Sequence, residues 1–199
     1  MLDTLMYGHP DMPKDRGPWI LTYTGQHYYV CDPSPREVRL ADIAHHLAML
    51  CRYTGACAQF FSVAEHSILV SQVVPPEYAL AGLLHDAAEA YVGDLSRPLK
   101  QSGAVDGHLE IERRNWHAIA ARYGVAPELP ECVHVADWQV CLAEKAVLMP
   151  VDGVPWRHPR YPNTAADVPI HCMSPYMAEK AFLRRFEQIT GEIVERGSA

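Results

Sequence analysis

From Ala79 to Val92 the chain reads Ala-Leu-Ala-Gly-Leu-Leu-His-Asp-Ala-Ala-Glu-Ala-Tyr-Val, an apolar run interrupted only by His85, Asp86 and Glu89. A helix apolar on nearly every face belongs to an interior, where an unpaired carboxylate is costly and ionisable groups persist when paired or bound to a metal. Glu77 to Val92 is therefore predicted as one buried helix, stopped by Gly93-Asp94 and followed by a loop around Pro98. Leu40, Ile43, Ala44, Leu47, Leu50 and Cys51 recur at helical spacing. Ser62 caps a predicted helix holding Val63, His66, Leu69, Val70 and Val73, which Pro75-Pro76 ends. Residues 106–123 form a hydrophilic helix with Leu109, Trp116, Ile119 and Ala120 on one side, and Cys132 to Met149 returns to a helix with Asp137 in an apolar setting. Residues 150–175, dense in proline, read as a long ordered or lid-like loop before an amphipathic helix from Pro175 to Thr190. Residues 1–18 read as irregular, and the β-prone runs Trp19–Thr24 and His27–Cys31 around Gly25-Gln26 predict a small hairpin.

These elements add up to an all-α fold with a minor N-terminal hairpin. At 199 residues and 49% hydrophobic content the chain suits one core of ordinary size, so a single domain is expected over 1–199. Within it, 1–39 is the hairpin region, 40–149 the helical core, and 150–199 the proline-rich loop and closing helix. The apolar stretches fall well short of the roughly 20 residues that cross a bilayer, and no basic start precedes an apolar segment. The expectation is a soluble, cytoplasmic protein with no membrane partner. The cysteines, at 31, 51, 57, 132, 141 and 172, form no Cys-x-x-Cys pair and read as reduced thiols. A net charge of -7 and a pI near 5.8 exclude a general duplex nucleic-acid surface, so an anionic ligand must be held by a local cluster of cations.

Adjacent helical side chains point about 100° apart, which lets His85 and Asp86 straddle one ion beside the helix. Glu89 lies over the same edge one turn on, near the ion but free to handle protons. The best further ligands are ionisable residues inside other apolar helices: His66 in Val-Ala-Glu-His-Ser and Asp137 in Val-Ala-Asp-Trp.

In order and type, His66, His85-Asp86 and Asp137 match the pattern of the HD-domain metal-dependent phosphohydrolases, which the chain resembles from about Asp42 to Met149. The segments Ser62-Val-Ala-Glu-His-Ser and His85-Asp-Ala-Ala-Glu-Ala-Tyr-Val-Gly-Asp-Leu-Ser-Arg-Pro-Leu-Lys look like the 5'-deoxyribonucleotidase branch and the related bacteriophage deoxynucleoside triphosphate triphosphohydrolases. The resemblance implies an HD-domain helical bundle and hydrolysis of a 2'-deoxynucleotide, either dNMP to deoxynucleoside and phosphate or dNTP to deoxynucleoside and triphosphate. It also implies that Glu89 assists the attacking water, that Asp94 contacts the sugar 3'-hydroxyl and that Arg52 contacts phosphate. Tyr53 stands where the nucleotidases carry a base-facing tryptophan. A homo-oligomer is implied as well.

The mixed N/O donors suit one divalent ion, with Co, Mn, Zn, Ni or Mg all open, and such an ion activates water and polarises a phosphoryl oxygen. Arg52 and Lys100 would neutralise the phosphoryl oxygens during transfer. A triphosphate would need more cations, for which Lys14, Arg16 and Arg97 are also available, although Arg97 reads as a solvated loop residue. His45 and His46 read as structural. His108, His117 and His134 are the candidates for a second ion, as the resemblance implies for HD-fold oxygenases and some two-metal hydrolases; two irons with O2 consumption would point to a di-iron oxygenase on the same fold. Trp156, Arg157, His158 and Arg160 either close over substrate or serve a subunit contact. A nucleotide-binding module without turnover is the non-enzyme alternative.

Overall fold

Ser62 begins the central helix. Its hydroxyl accepts a hydrogen bond from the Glu65 N–H (3.1 Å), satisfying a first-turn donor, and Val63–Val73 (α2) follows. In the computed structural model, which describes residues 16–193, every residue of α2 from Val63 to Ser71 is buried. The helices packed around it are α1 (Leu40–Met49), α3 (Ala79–Leu84), α7 (Glu131–Leu148) and α8 (Pro175–Thr190). Val63, Ala64 and Ile68 face one apolar cluster, with Ile43, Leu47, Leu83, Ile119 and Phe182. Leu69 and Val70 face a second, with Phe61, Val133, Val140 and Leu148. Each of these valine, leucine, isoleucine and phenylalanine side chains contributes roughly 1.5–3 kcal/mol on burial.

The fold is all-α with a small antiparallel hairpin. Strand β1 (Ile20–Leu21) pairs with β2 (His27–Tyr28), Ile20 opposite Tyr28. The strands are shorter than the β-prone runs. The buried carboxylate of Asp42 accepts from the N–H (2.7 Å) and hydroxyl (3.0 Å) of Thr24 and so pins the turn onto α1. Residues 1–15, including Lys14 and most of the stretch expected to be irregular, lie outside the described residues.

The apolar run does not form one helix. A 3-10 turn at Pro76–Tyr78 precedes α3, and after Leu84 the chain tightens over residues 85–88 before α4 (Glu89–Val92). The hydrogen bonds there are of the i to i+3 type: Ala87 N–H to Leu84 O (2.9 Å) and Glu89 N–H to Asp86 O (3.0 Å). One physical reason is local, since the Gly82 carbonyl is engaged by the His85 ring instead (2.8 Å). The Pro98 loop likewise contains a helical turn, α5 (Arg97–Lys100), and α1 stops at Met49 because Leu50 and Cys51 turn extended, Cys51 bridging Ser62. The hydrophilic helix appears as α6 (Asp106–Tyr123), burying Trp116, Ile119 and Ala120 as expected, while Leu109 stays half-buried.

Gly82 sets the spacing of α2 and α3. A methyl group there would lie 3.1 Å from Ser71 Cα and 3.1 Å from Val74 Cγ2. The valine can turn; the Ser71 backbone cannot. Gly82→Ala gains up to about 1 kcal/mol in helix propensity but loses about 1–3 kcal/mol to overpacking, so a fall in Tm of several degrees is expected in a thermal melt. An unchanged or higher Tm would mean that the two helices have room to part.

Candidate metal centre and adjoining cavity

His66 reaches the centre from the first turn of α2, His85 and Asp86 from the tightened turn after α3, and Asp137 from α7. His66 Nε2 lies 3.2 Å from Asp137 Oδ1 and 3.7 Å from Asp86 Oδ2, and His85 Nε2 lies 3.2 Å from Asp86 Oδ2. Donor atoms of His66, His85 and Asp137 all fall within 4.8 Å of one another. One ion with bonds near 2.1 Å needs its donors roughly 3–3.4 Å apart, close to these separations. Both Nε2 atoms are buried and have no hydrogen-bond partner among the described residues. Their other ring nitrogens are held: His85 Nδ1 by the Gly82 carbonyl (2.8 Å) and His66 Nδ1 by Glu144 Oε1 (2.6 Å). Both partners accept, so Nδ1 carries the proton of the neutral ring and Nε2 keeps its lone pair, the arrangement usual for metal-binding histidines. His66, His85 and Asp137 therefore fit a cation, and Asp86 lies against both imidazoles beside it.

The electrostatics point the same way. Burial opposes charge on the His85 ring, yet Asp86 and Asp137 outweigh it and push its pKa up to about 9. His66 is also raised, Glu144 and Asp137 outweighing burial and Arg52. The carboxyls of Asp86 and Asp137 are held below the ordinary range despite burial, each by the imidazoles beside it. The two aspartates thus draw positive charge to their midpoint, and a cation competes with protons for the same ring nitrogens.

Arg52 is buried, and its guanidinium donates from Nε to Glu144 Oε2 (3.0 Å) and from NH2 to Cys141 Sγ (3.2 Å). NH1 lies 3.7 Å from Asp86 Oδ2, beside the centre. Tyr53 donates its hydroxyl to Glu144 Oε2 at 2.5 Å, from a backbone in the left-handed region (φ 56°), as is Thr54 (φ 54°). Such a conformation costs roughly 1–2 kcal/mol per non-glycine residue and persists where surroundings enforce it. Burial opposes the charge of Glu144, but Arg52 and His66 outweigh it and keep the carboxyl below its ordinary range. Sequence reasoning missed Glu144, although its spacing two turns beyond Asp137 on an apolar helix was a usable signal.

A cavity of about 810 Å³ opens beside these groups, within the size range of small-molecule sites. Its walls include Arg52, Tyr53, Asp86, Glu89, Asp94, Lys100 and Asp137. Glu89 accepts from Lys100 Nζ (3.0 Å) through Oε1, while Oε2 is buried without a partner. Burial, with Asp86 and Asp94 nearby, outweighs Lys100 and raises the Glu89 carboxyl well above its ordinary range. Asp94 is raised too, chiefly by burial. A buried carboxyl with a raised pKa holds a proton more readily than an ordinary one, a property that suits a general base or acid.

No family model matches the chain. Over 138 residues it is 35% identical to the uncharacterized protein YfdR of Escherichia coli (strain K12), covering 69% of this chain and 76% of YfdR. The chain belongs to the YfdR family. It is also 34% identical over 121 residues to the uncharacterized protein RCAP_rcc00048 of Rhodobacter capsulatus, covering 56% of this chain and 61% of that relative. Neither name states an activity.

Several cations of this YfdR-family chain are already engaged. Lys100 donates to Glu112 (2.8 Å) as well as to Glu89, so its ammonium is shared between two carboxylates. Arg97 is not a free loop residue: half-exposed at 47%, it donates from NH2 to Asp137 Oδ2 (3.3 Å) and stacks over Trp138. Arg16 lies elsewhere, tied to Asp32 (2.7 Å) and Glu37 (2.5 Å) next to the hairpin, and is not among the cavity walls. His45 pairs with Glu179 (2.9 Å), and His46 bonds the Ala90 carbonyl (2.7 Å). Among the described residues two groups could hold an ion, His66 with His85 and Asp137, and His66 with Cys141 and Glu144; His108, His117 and His134 join neither.

The proline-rich loop reaches the site. Trp156, Arg157 and His158 line the cavity, and Trp156 packs against Tyr53 with ring centroids 5.9 Å apart. Arg160 lies outside the cavity walls and pairs with Glu131 (3.5 Å). The far end of the loop is clamped by the buried carboxylate of Glu65, which accepts the backbone N–H groups of His171 (2.8 Å), Cys172 (3.1 Å) and Met173 (2.7 Å). Helix α2 thus carries a candidate ion-site histidine, His66, and the loop anchor, Glu65, on consecutive residues. Among the described residues, no helix is long and apolar enough to cross a membrane.

Proposed function

We propose that this chain is a metal-dependent phosphohydrolase of the HD type, acting on 2'-deoxynucleoside 5'-monophosphates. The observation that carries the reading is the pair of orphaned Nε2 atoms facing Asp86 and Asp137, with Arg52 NH1 and Glu89 at the same cavity. The ordered likeness to the HD phosphohydrolases, independent of this geometry, supports the same four ligands.

His66, His85, Asp86 and Asp137 would hold one divalent ion, which supplies water activation and polarisation of a phosphoryl oxygen. Arg52 NH1 binds a non-bridging oxygen of the phosphate, with its other donors fixed by Glu144 and Cys141. Glu89 accepts a proton from the attacking water at its unpartnered Oε2, while Lys100 holds Oε1. Water adds to phosphorus, the bond to the 5'-oxygen breaks, and the proton held by Glu89 passes to the leaving 5'-oxygen, so that the products are deoxynucleoside and phosphate and the Glu89 carboxylate is restored. Asp94 accepts from the sugar 3'-hydroxyl, and Tyr53 flanks the base.

Charge favours the monophosphate. The cavity walls carry Arg52, Arg97, Lys100 and Arg157 against Asp86, Glu89, Asp94 and Asp137, a formal balance to which one divalent ion adds two positive charges. That matches the charge of about -1.5 to -2 on a phosphate monoester, and a triphosphate exceeds it.

The test is a panel of dNMPs, dNTPs and ribonucleotides with Co, Mn, Mg, Zn and Ni, scoring phosphate, pyrophosphate and triphosphate separately. Phosphate release from dNMPs is expected. Release of triphosphate from dNTPs, without dNMP turnover, would overturn the monophosphate assignment. Oxygen consumption with two irons bound would favour the oxygenase, and binding without turnover the non-enzyme module.

A further inference from the structure

We propose that Glu144 is a positioning residue that serves the ion and the phosphate together, setting ion affinity through His66 and the Michaelis constant through Arg52. The inference rests on the proposed function for its kinetic half; its ion-binding half is read without substrate. The carboxylate is fully buried and accepts three hydrogen bonds from two different segments of chain: His66 Nδ1 (2.6 Å) on α2, and Arg52 Nε (3.0 Å) and the Tyr53 hydroxyl (2.5 Å) on the 3-10 segment Arg52–Gly55. One oxygen, Oε1, faces the ion side; the other, Oε2, faces the phosphate side.

A residue needed only to fill space would not collect donors in this way. Removing the charge at constant shape therefore has a defined result. In Glu144→Gln the amide oxygen can accept on one side only: turned toward His66 it leaves the NH2 group against Arg52 Nε–H, which cannot accept, and turned toward Arg52 and Tyr53 it leaves the NH2 group against His66 Nδ1–H. Either His66 or Arg52 loses its partner. The same bond helps to hold Tyr53 in its left-handed conformation, so Tyr53→Phe isolates the phosphate side, leaving the His66 contact intact.

The experiment uses the full chain. Mn(II) affinity is measured by competition with a fluorescent chelator, and dNMP kinetics are measured at saturating ion. Glu144→Gln is expected to lower ion affinity about 10–100-fold, the range found when partners of metal-binding histidines are removed. It is also expected to raise KM about 10-fold with kcat changed less than about threefold, because the arginine meets the same charge before and during transfer. Tyr53→Phe is expected to keep ion affinity within about twofold while raising KM. A Glu144→Gln protein that binds Mn(II) as tightly as the wild type overturns this inference alone. A wild-type chain that binds no ion overturns the proposed function along with it. Should Glu144→Gln not fold, histidine-ring NMR of the Zn(II)-loaded wild type decides: a proton on His66 Nδ1 supports the role, and coordination through Nδ1 refutes it.

Discussion

Replacing Asp86 with alanine is expected to remove the ion and abolish turnover. Its carboxylate lies between both imidazoles and the arginine: Oδ2 is 3.2 Å from His85 Nε2, 3.7 Å from His66 Nε2 and 3.7 Å from Arg52 NH1. The substitution takes away one of four ligands. It also leaves Asp137 as the one remaining carboxylate among the proposed ligands, with the Arg52 guanidinium no longer offset by Asp86, so the local charge no longer favours a cation. A fall of at least about 10³-fold in kcat/KM is expected, with loss of bound ion, because the chemistry depends on the metal charge. Steady-state kinetics beside metal analysis of the purified variant check this. Activity within threefold of the wild type, or a full complement of ion, would count against the ligand assignment.

Glu89→Gln separates proton transfer from ion binding. The amide keeps the shape of the side chain, and its oxygen can still accept from Lys100 Nζ, now 3.0 Å from Glu89 Oε1. What disappears is a carboxyl whose pKa burial and the neighbouring acids raise, the property that suits it to take a proton from water. The ion should stay at wild-type stoichiometry while kcat falls about 10²–10⁴-fold, the usual worth of a general base. Undiminished kcat at saturating ion would reassign the proton acceptor. Loss of ion together with rate would make Glu89 a ligand instead of a base.

Much of this was legible in the residues themselves. Ser62 followed by a helical apolar run located α2, and ionisable residues in otherwise apolar helices marked His66, His85, Asp86 and Asp137 as residues that required partners. Those signals are local, and local signals survive in a single sequence. Glu144 escaped because its partners His66, Arg52 and Tyr53 lie far away in the chain, and a lone buried glutamate in a helix does not name them. The tightening after Leu84 was hidden for another reason. An unbroken apolar pattern cannot register that the His85 ring competes for the Gly82 carbonyl, nor that Gly82 must be small because Ser71 lies against it. Arg97 looked free since its partner, Asp137, is contributed by α7, and the loop around Trp156 carries no periodicity from which contact with Tyr53 could be inferred.

An anomalous-difference map from crystals grown with Mn(II) asks the central question directly. The account predicts a single peak within about 2.0–2.3 Å of His66 Nε2, His85 Nε2 and carboxylate oxygens of Asp86 and Asp137. An ion bound elsewhere on the chain, or no peak at metal concentrations that support turnover, would contradict it.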